Sequence, residues 1–225
     1  MTRAASGIVG FFRSEGFMEY LSSLHYCLFT MRRPLVGFWD LIHEKRGSMA
    51  AAHTLVFLAV LVQIMRLTLT NFQFFTVYLE AFNLFFVVSS IVLPILLWTV
   101  ANWCLTTLWD GKGRLGDIYM GTAYALAPMT IIWAVLIPIS HIITFEEGMV
   151  YWTATGIGST WTMVLVICAM MEIHDYTMSK TILSSLCTVI AIGVMVFVFV
   201  MFFAVISDGV AYFVSLAREL LFRLR

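Results

Sequence analysis

Five stretches of this 225-residue chain are each long and apolar enough to cross a lipid bilayer, and only short polar connections separate them. A spanning helix needs about 20 mainly apolar residues, because each residue rises ~1.5 Å and the hydrocarbon layer is ~30 Å thick. The stretches run from Ala50 to Thr70, Phe82 to Thr106, Ile118 to Ile143, Val150 to Met171 and Ile182 to Ile206. Backbone polar groups do not stay unpaired in hydrocarbon, so each is predicted as a helix. The fold class is therefore an all-α integral membrane protein, a bundle of five transmembrane helices. Composition agrees: 61% of residues are hydrophobic and 12% charged, against roughly 45–50% and about 25% in soluble proteins. An ordinary soluble enzyme is excluded. Thirteen Lys and Arg balance thirteen Asp and Glu, so no whole-chain field draws nucleic acid.

The chain reads as one domain in three segments: an amphipathic N-terminal segment (1–49), the five-span region (50–206) and an amphipathic C-terminal helix (207–225). Ile8 to Phe12 is too short for the apolar core of a signal peptide, so the N-terminus is expected to be retained. Phe17, Leu21, Leu24, Leu28 and Met31 recur at helical spacing, and Leu35, Phe38, Trp39 and Ile42 do so after Pro34. The second of these helices carries Asp40, His43, Glu44 and Lys45 on its other side, and Gly47 is placed to stop it. That pattern suits a helix in the headgroup plane and equally one packed on the protein's inner face. In the last segment Val210, Phe213, Val214, Ala217, Leu220, Leu221 and Leu224 form a stripe, with Glu219 and Arg223 an i, i+4 pair.

Orientation follows from the Lys and Arg near span ends. Arg3, Arg13, Arg32, Arg33, Lys45 and Arg46 precede the first span, Lys112 and Arg114 lie in the second connection, and Lys180 in the fourth. All share one side if the N-terminus is cytoplasmic. The opposite connections hold Glu80, Glu146 and Glu147, with Arg66 snorkelling outward from its span. Arg218, Arg223 and Arg225 go against this arrangement, because five spans carry them outside; re-entry or an interfacial lie of the last helix would reconcile them. Cys27, Cys104, Cys168 and Cys187 show no paired spacing and are expected as free thiols in the cytoplasmic half.

Residues 111–116 match G-x-G-x-x-G, but they follow a membrane span rather than a strand, so a tight turn with Asp117 at the N-cap of the third span is expected instead of a dinucleotide site. Glu172, His174 and Asp175 are metal-ligand types, as are His141, Glu146 and Glu147, but spacings such as i, i+2, i+3 do not converge on one point of a helix. No metal and no cofactor is expected. The strongly polar residues within spans are His53, Gln63, Arg66, Asn83 and Asn102; apart from Gln63 all lie near span ends, within reach of water. Pro94, Pro128 and Pro138 are placed to kink the second and third spans, and Gly156, Gly158, Ser159 and Thr160 to admit a close neighbour to the fourth. No triad or acidic pair supports catalysis.

Several strings occur in an ordered series: Arg33-Pro34-Leu35-Val36-Gly37-Phe38-Trp39-Asp40 with Lys45-Arg46-Gly47-Ser48; Ala101-Asn102-Trp103-Cys104-Leu105-Thr106-Thr107-Leu108-Trp109-Asp110-Gly111-Lys112-Gly113; Asp117-Ile118-Tyr119 with Tyr124-Ala125-Leu126-Ala127-Pro128; and Ile173-His174-Asp175-Tyr176. Over residues 25–225 the chain resembles the bacterial branch of the Yip family of multi-pass membrane proteins, named for eukaryotic members that interact with Ypt/Rab GTPases. The resemblance implies five spans, a cytoplasmic N-terminus, an opposite C-terminus and no catalytic residues. Eukaryotic relatives act in ER-to-Golgi vesicle transport; bacterial members look like companions of ABC-type sugar-uptake systems, and a chain without a long acidic or Pro-rich N-terminal region looks bacterial. The expectation is a non-enzymatic partner or scaffold in the bacterial cytoplasmic membrane that binds lipids and other integral membrane proteins, ABC permease subunits among them. Its candidate contact surface is Trp109, Asp110, Gly111 and Gly113 with His174, Asp175 and Tyr176. The alternatives are a small transporter or channel using His53 and Gln63, or a lipid-organising protein acting through its amphipathic ends.

Overall fold

The computed structural model describes residues 15–74 and 82–223. Arg3, Arg13, the Ile8–Phe12 stretch, Glu80, Leu224, Arg225 and the side chains of Phe17 and Ala217 lie outside the described residues. Among the described residues two helices, α1 (Glu15–Arg32) and α2 (Pro34–His43), precede the spans. The spans follow as α3 (Met49–Leu69), α4 (Leu84–Thr107), the pair α5 (Leu115–Ala125) and α6 (Ala127–Ile139), α7 (Gly148–His174) and α8 (Met178–Arg223). Five spans result, and the described residues contain no strand.

The ends are set by local chemistry. Ser48 caps α3 by accepting from Ala51 N at 3.1 Å, and Asn83 caps α4 by accepting from Phe86 N at 3.3 Å. The third span starts three residues earlier than expected. Arg114, not Asp117, is its N-cap, and the Asp117 carboxylate reaches back to the Arg114 N–H at 3.4 Å. That span then breaks at Leu126, because Pro128 has no N–H for the carbonyl of Tyr124 and its ring crowds that carbonyl. The α7 helix begins through a turn at Phe145–Glu147, with Glu147 accepting from Thr144 N.

The largest departure from expectation is at the C-terminus. The fifth span and the amphipathic segment form one unbroken helix of 46 residues. Between Ile206 and Val210 the weakest helix former is Gly209, which costs about 1 kcal/mol against alanine and does not end a helix by itself. With no break, the stripe continues the axis of the span, and the re-entrant or interfacial lie that would reconcile Arg218 and Arg223 is not formed. The pair Arg223–Glu219 does form, at 2.8 Å.

Packing is inverted relative to a soluble protein. Ala51, Ala52, Ala59, Ala101, Gly121, Ala123, Ala125 and Ala169 face inward, while Phe57, Phe85, Phe86, Trp152 and Met163 point out. Lipid tails are as apolar as leucine, so helices associate through close backbone approach and small residues line the contacts. The α5 helix is central, buried from Met120 through Ala125, and Tyr124 donates from its hydroxyl to Ser23 O on α1 at 3.0 Å. Among the small residues expected to admit a neighbour to α7, Gly158 lies against Ile132, 3.0 Å from where a Cβ would stand, and Ser159 Oγ is 3.8 Å from Met129 Sδ, whereas Gly156 has nothing near.

The same logic settles how α1 and α2 lie. Phe38 and Leu41 are fully buried, so α2 packs on the protein's own face, while Leu35, Val36 and Trp39 stay exposed on its outer side. On α1 the expected stripe is split: Leu24 and Met31 pack on the core, Leu21 and Leu28 are exposed, and Ser23, Cys27 and Thr30 are buried. Gly37 lies so close to Thr30 that a Cβ there would come within 2.8 Å of the Thr30 Cα, a contact that needs a small partner on each helix.

Candidate functional site

The polar strings of the second and fourth connections meet at one end of the bundle, on the face that carries α1 and α2. Both spans that arrive there end alike. The α4 helix closes with Gly111 N–H donating to Thr106 O at 2.8 Å, and α7 with Tyr176 N–H donating to Met171 O at 3.0 Å. Each closure has an aspartate in the left-handed region just before the donor, Asp110 at φ 57° and Asp175 at φ 54°. This is the Schellman arrangement, with Asp where Gly is commonest; Asp tolerates αL better than most side chains.

Beneath these closures runs a chain of hydrogen bonds joining three spans. Gly113 N–H donates to His174 Nδ1 at 3.3 Å, so the proton of the neutral ring sits on Nε2, which donates to Asn102 Oδ1 at 2.9 Å. Asn102 Nδ2 donates to Thr188 Oγ1 at 3.1 Å, and that hydroxyl donates to Ser184 O at 2.8 Å. His174, Asn102 and Thr188 are essentially inaccessible. Each side-chain nitrogen and oxygen in the series has a hydrogen-bond partner, which offsets the cost of burying it.

The glycines are explained by the same geometry. A Cβ at Gly113 would stand 2.5 Å from Ile173 Cγ2 and 2.6 Å from His174 Cε1; one at Gly111 would stand 2.7 Å from Thr106 Cβ and 2.8 Å from His174 Nδ1. The connection therefore lies directly on the imidazole. Gly116, last of the G-x-G-x-x-G string, meets Met49 Cε in the same way. All three glycines of that string serve close packing.

Above the glycines, Lys112 Nζ pairs with Asp175 at 2.8 Å, and that hydrogen bond and charge hold the Asp175 carboxyl below the usual carboxylate range. Tyr176 donates from its hydroxyl to Trp109 O at 2.7 Å, and Lys180 Nζ donates to the same carbonyl at 2.9 Å while lying 4.0 Å from the Tyr176 ring centre. Burial, with the nearby Asp110 charge, pushes the Tyr176 phenol up. All seven residues of the expected contact surface come together. His174 and Tyr176 are buried and Gly111 and Gly113 are used in packing, whereas Asp110, Lys112 and Asp175 reach solvent and Trp109 is half-buried.

The other expected sites do not assemble. His53 Nδ1 is 2.8 Å from the Tyr119 hydroxyl near the start of α3, and Gln63, ten residues on, lies roughly 15 Å further along the axis. Arg66 sits over the Trp133 ring at 4.1 Å, an aromatic contact within the bundle where snorkelling was expected. Glu172, His174 and Asp175 do not converge, since both His174 nitrogens are engaged; among the described residues no three His, Cys, Asp or Glu side chains form a metal-ligand group. His141 Nε2 lies 2.7 Å from Leu69 O. The four cysteines are free.

Asn102 and Thr188 are the residues the sequence reading undervalued. Asn102, near a span end, reads as solvated, yet it is buried by α8. The signal was present in that partner: Thr181, Ser184 and Thr188 recur at i, i+3, i+7, and all three are buried, a polar stripe of the kind that joins helices in membranes.

A five-span, all-helical membrane bundle with its polar connections locked together at one end defines the class of this molecule. The family model for the Yip1 domain matches residues 28–205, and the chain belongs to that family. The match takes in α2, all five spans and the whole of the buried network. No curated protein and no solved structure matches the chain.

Proposed function

We propose that the chain is a non-enzymatic partner or scaffold for other integral membrane proteins, accessory to a carbohydrate ABC transporter in the bacterial cytoplasmic membrane, with the α1/α2 face cytoplasmic. The observation that carries this reading is the knob formed by residues 109–113 and 175–176. Two helix closures, a packed imidazole and the Lys112–Asp175 pair fix its shape, and it presents the charges of Asp110, Lys112 and Asp175 beside the half-buried Trp109. A fixed polar surface suits recognition by another protein, since little ordering entropy is lost on binding. The Lys and Arg of both connections on this face support the orientation, and the family resemblance supports the transporter association.

The test is recovery of the tagged full chain from its native membrane in mild detergent, with mass spectrometry of what co-purifies. The reading expects a permease-type membrane protein at near-stoichiometric amount, lost from the triple variant Asp110→Asn, Lys112→Gln, Asp175→Asn. Asparagine retains the left-handed conformation at both positions, so the knob keeps its backbone while losing its charge. Equal recovery from both proteins overturns the placement.

A second reading, a small transporter or channel, has one observation in its favour. Near the other end of the bundle Gln63 Oε1, Thr70 Oγ1, Trp133 Nε1 and Tyr151 OH are buried without a hydrogen-bond partner among the described residues. Buried polar atoms of this kind are usually met by water or a ligand. Flux of a sugar or ion through reconstituted protein, abolished by Gln63→Leu with Tyr151→Phe, would favour this reading over the first.

A further inference from the structure

A second feature of the α1/α2 face lies away from the knob. The chain leaves α2, passes Lys45 in the left-handed conformation at φ 54°, and begins α3. Beside it the second connection leads into α5. Between the first turns of these two helices is a cavity of about 410 Å³ lined by Leu41, Ile42, Lys45, Gly47, Met49, Arg114, Asp117 and Met120.

Its chemistry is divided. The floor is apolar, from Leu41, Ile42 and Met120, and the exposed Met49 stands at its edge; the rim carries Lys45 and Arg114, neither in an ion pair among the described residues. Asp117 is the one acidic lining residue, and its carboxylate is turned to the Arg114 N–H. Met49 and Leu115 open α3 and α5 here, so the positive ends of two helices flank the same space. Both helices are spans, which sets the rim at headgroup level and the floor at the edge of the hydrocarbon. Cations above, apolar side chains below and that depth together match one kind of ligand.

We propose that this cavity holds the phosphate group of an anionic glycerophospholipid from the leaflet on the α1/α2 face, with Lys45 and Arg114 on the phosphate and Leu41, Ile42, Met49 and Met120 against the glycerol and first acyl carbons. The left-handed backbone at Lys45 turns the chain at the rim, and the first-turn amides of α3 and α5 add partial positive charge. This site is independent of the protein-partner reading, which rests on different residues.

The test uses the purified full chain in mild detergent, with lipid retention read by native mass spectrometry and stability by thermal melting. Phosphatidylglycerol is compared with diacylglycerol of the same acyl chains, which lacks the anionic phosphoglycerol headgroup. The variant is Lys45→Asn with Arg114→Gln, asparagine being chosen because it holds αL; Lys45→Arg with Arg114→Lys is the charge-conserving control. Two cations near a membrane surface contribute about 1 kcal/mol each, so phosphatidylglycerol should bind the neutral variant roughly thirtyfold more weakly, the control pair like the wild type, and diacylglycerol poorly in every case. Equal phosphatidylglycerol binding by wild type and neutral variant, or diacylglycerol binding as tight as phosphatidylglycerol, overturns the proposal. Inorganic phosphate supplies the remaining arm: if it stabilises the wild type but not the neutral variant while phosphatidylglycerol does neither, the lipid is overturned as the source. Melting of the lipid-free variants separates loss of binding from loss of fold.

Discussion

Gly113 and Gly156 stand at opposite ends of what a glycine in a membrane protein does. At Gly113 a methyl group would meet Ile173 and His174 closer than 3 Å, and at Gly156 it would meet nothing. Gly113→Ala must lift the connection off the imidazole and should lower stability by about 1–3 kcal/mol. Gly156→Ala should leave stability unchanged or raise it by up to about 1 kcal/mol through helix propensity. Thermal melting of the two variants in one detergent checks both. The string around Gly113 was plain in the sequence, but its meaning was not, because packing on a side chain 61 residues later leaves no trace in local spacing. The ion pair above it gives a second residue-scale expectation. Lys112 depresses the Asp175 carboxyl in the fold, so the pair stabilises above the unfolded carboxyl value near pH 4 and is lost as pH falls through the folded value. Because the pair is largely exposed, it contributes no more than about 1 kcal/mol. The difference in melting temperature between the wild type and Lys112→Gln should therefore be small at pH 7, begin to shrink near pH 4 and vanish only once the pH is below the folded Asp175 value.

Helices were the most legible level, for a physical reason: hydrocarbon demands a fixed length of apolar residues, and five such lengths are present. Helix ends were less legible, because capping depends on which groups face each other. Asp117 reads as an N-cap by its type, yet it sits one turn inside, bonded back to Arg114. The inward face of α1 was read only in part. A rule that buries large apolar residues assumes water outside; beside lipid, Ser23, Cys27 and Thr30 go inward with Leu24 and Met31, and Thr30 permits the close approach of Gly37. On α8 the interaction with the bundle lies in its first third, at Thr181, Ser184 and Thr188, and the side chains described beyond Val194 are almost all exposed. Truncation after Ser207 should accordingly leave the melting temperature of the detergent-solubilised bundle unchanged, whereas Asn102→Leu with Thr188→Val, which removes the junction of α4 and α8, should lower it. A truncated chain that melted well below the full one would show that the distal half of α8 supports the fold.

At the scale of the whole molecule, order is concentrated at one end. The ends of all five spans on that side, with α1 and α2, enclose the larger apolar cluster and the His174–Asn102–Thr188 series, while the opposite end holds a small cluster of Phe74, Leu136 and Tyr151. The sequence signalled this asymmetry through where its polar strings lie, and the fold accounts for it: those strings hold one another in place, with Asp110, Lys112 and Asp175 exposed and Trp109 half-buried. The central claim is that this fixed outward patch meets another membrane protein. A photo-cross-linking residue at position 112, with one at the lipid-facing position 163 as reference, tests it most directly in native membranes. The account predicts a discrete adduct with a second integral membrane protein from position 112 and lipid adducts alone from position 163. Lipid adducts alone from both positions would contradict it.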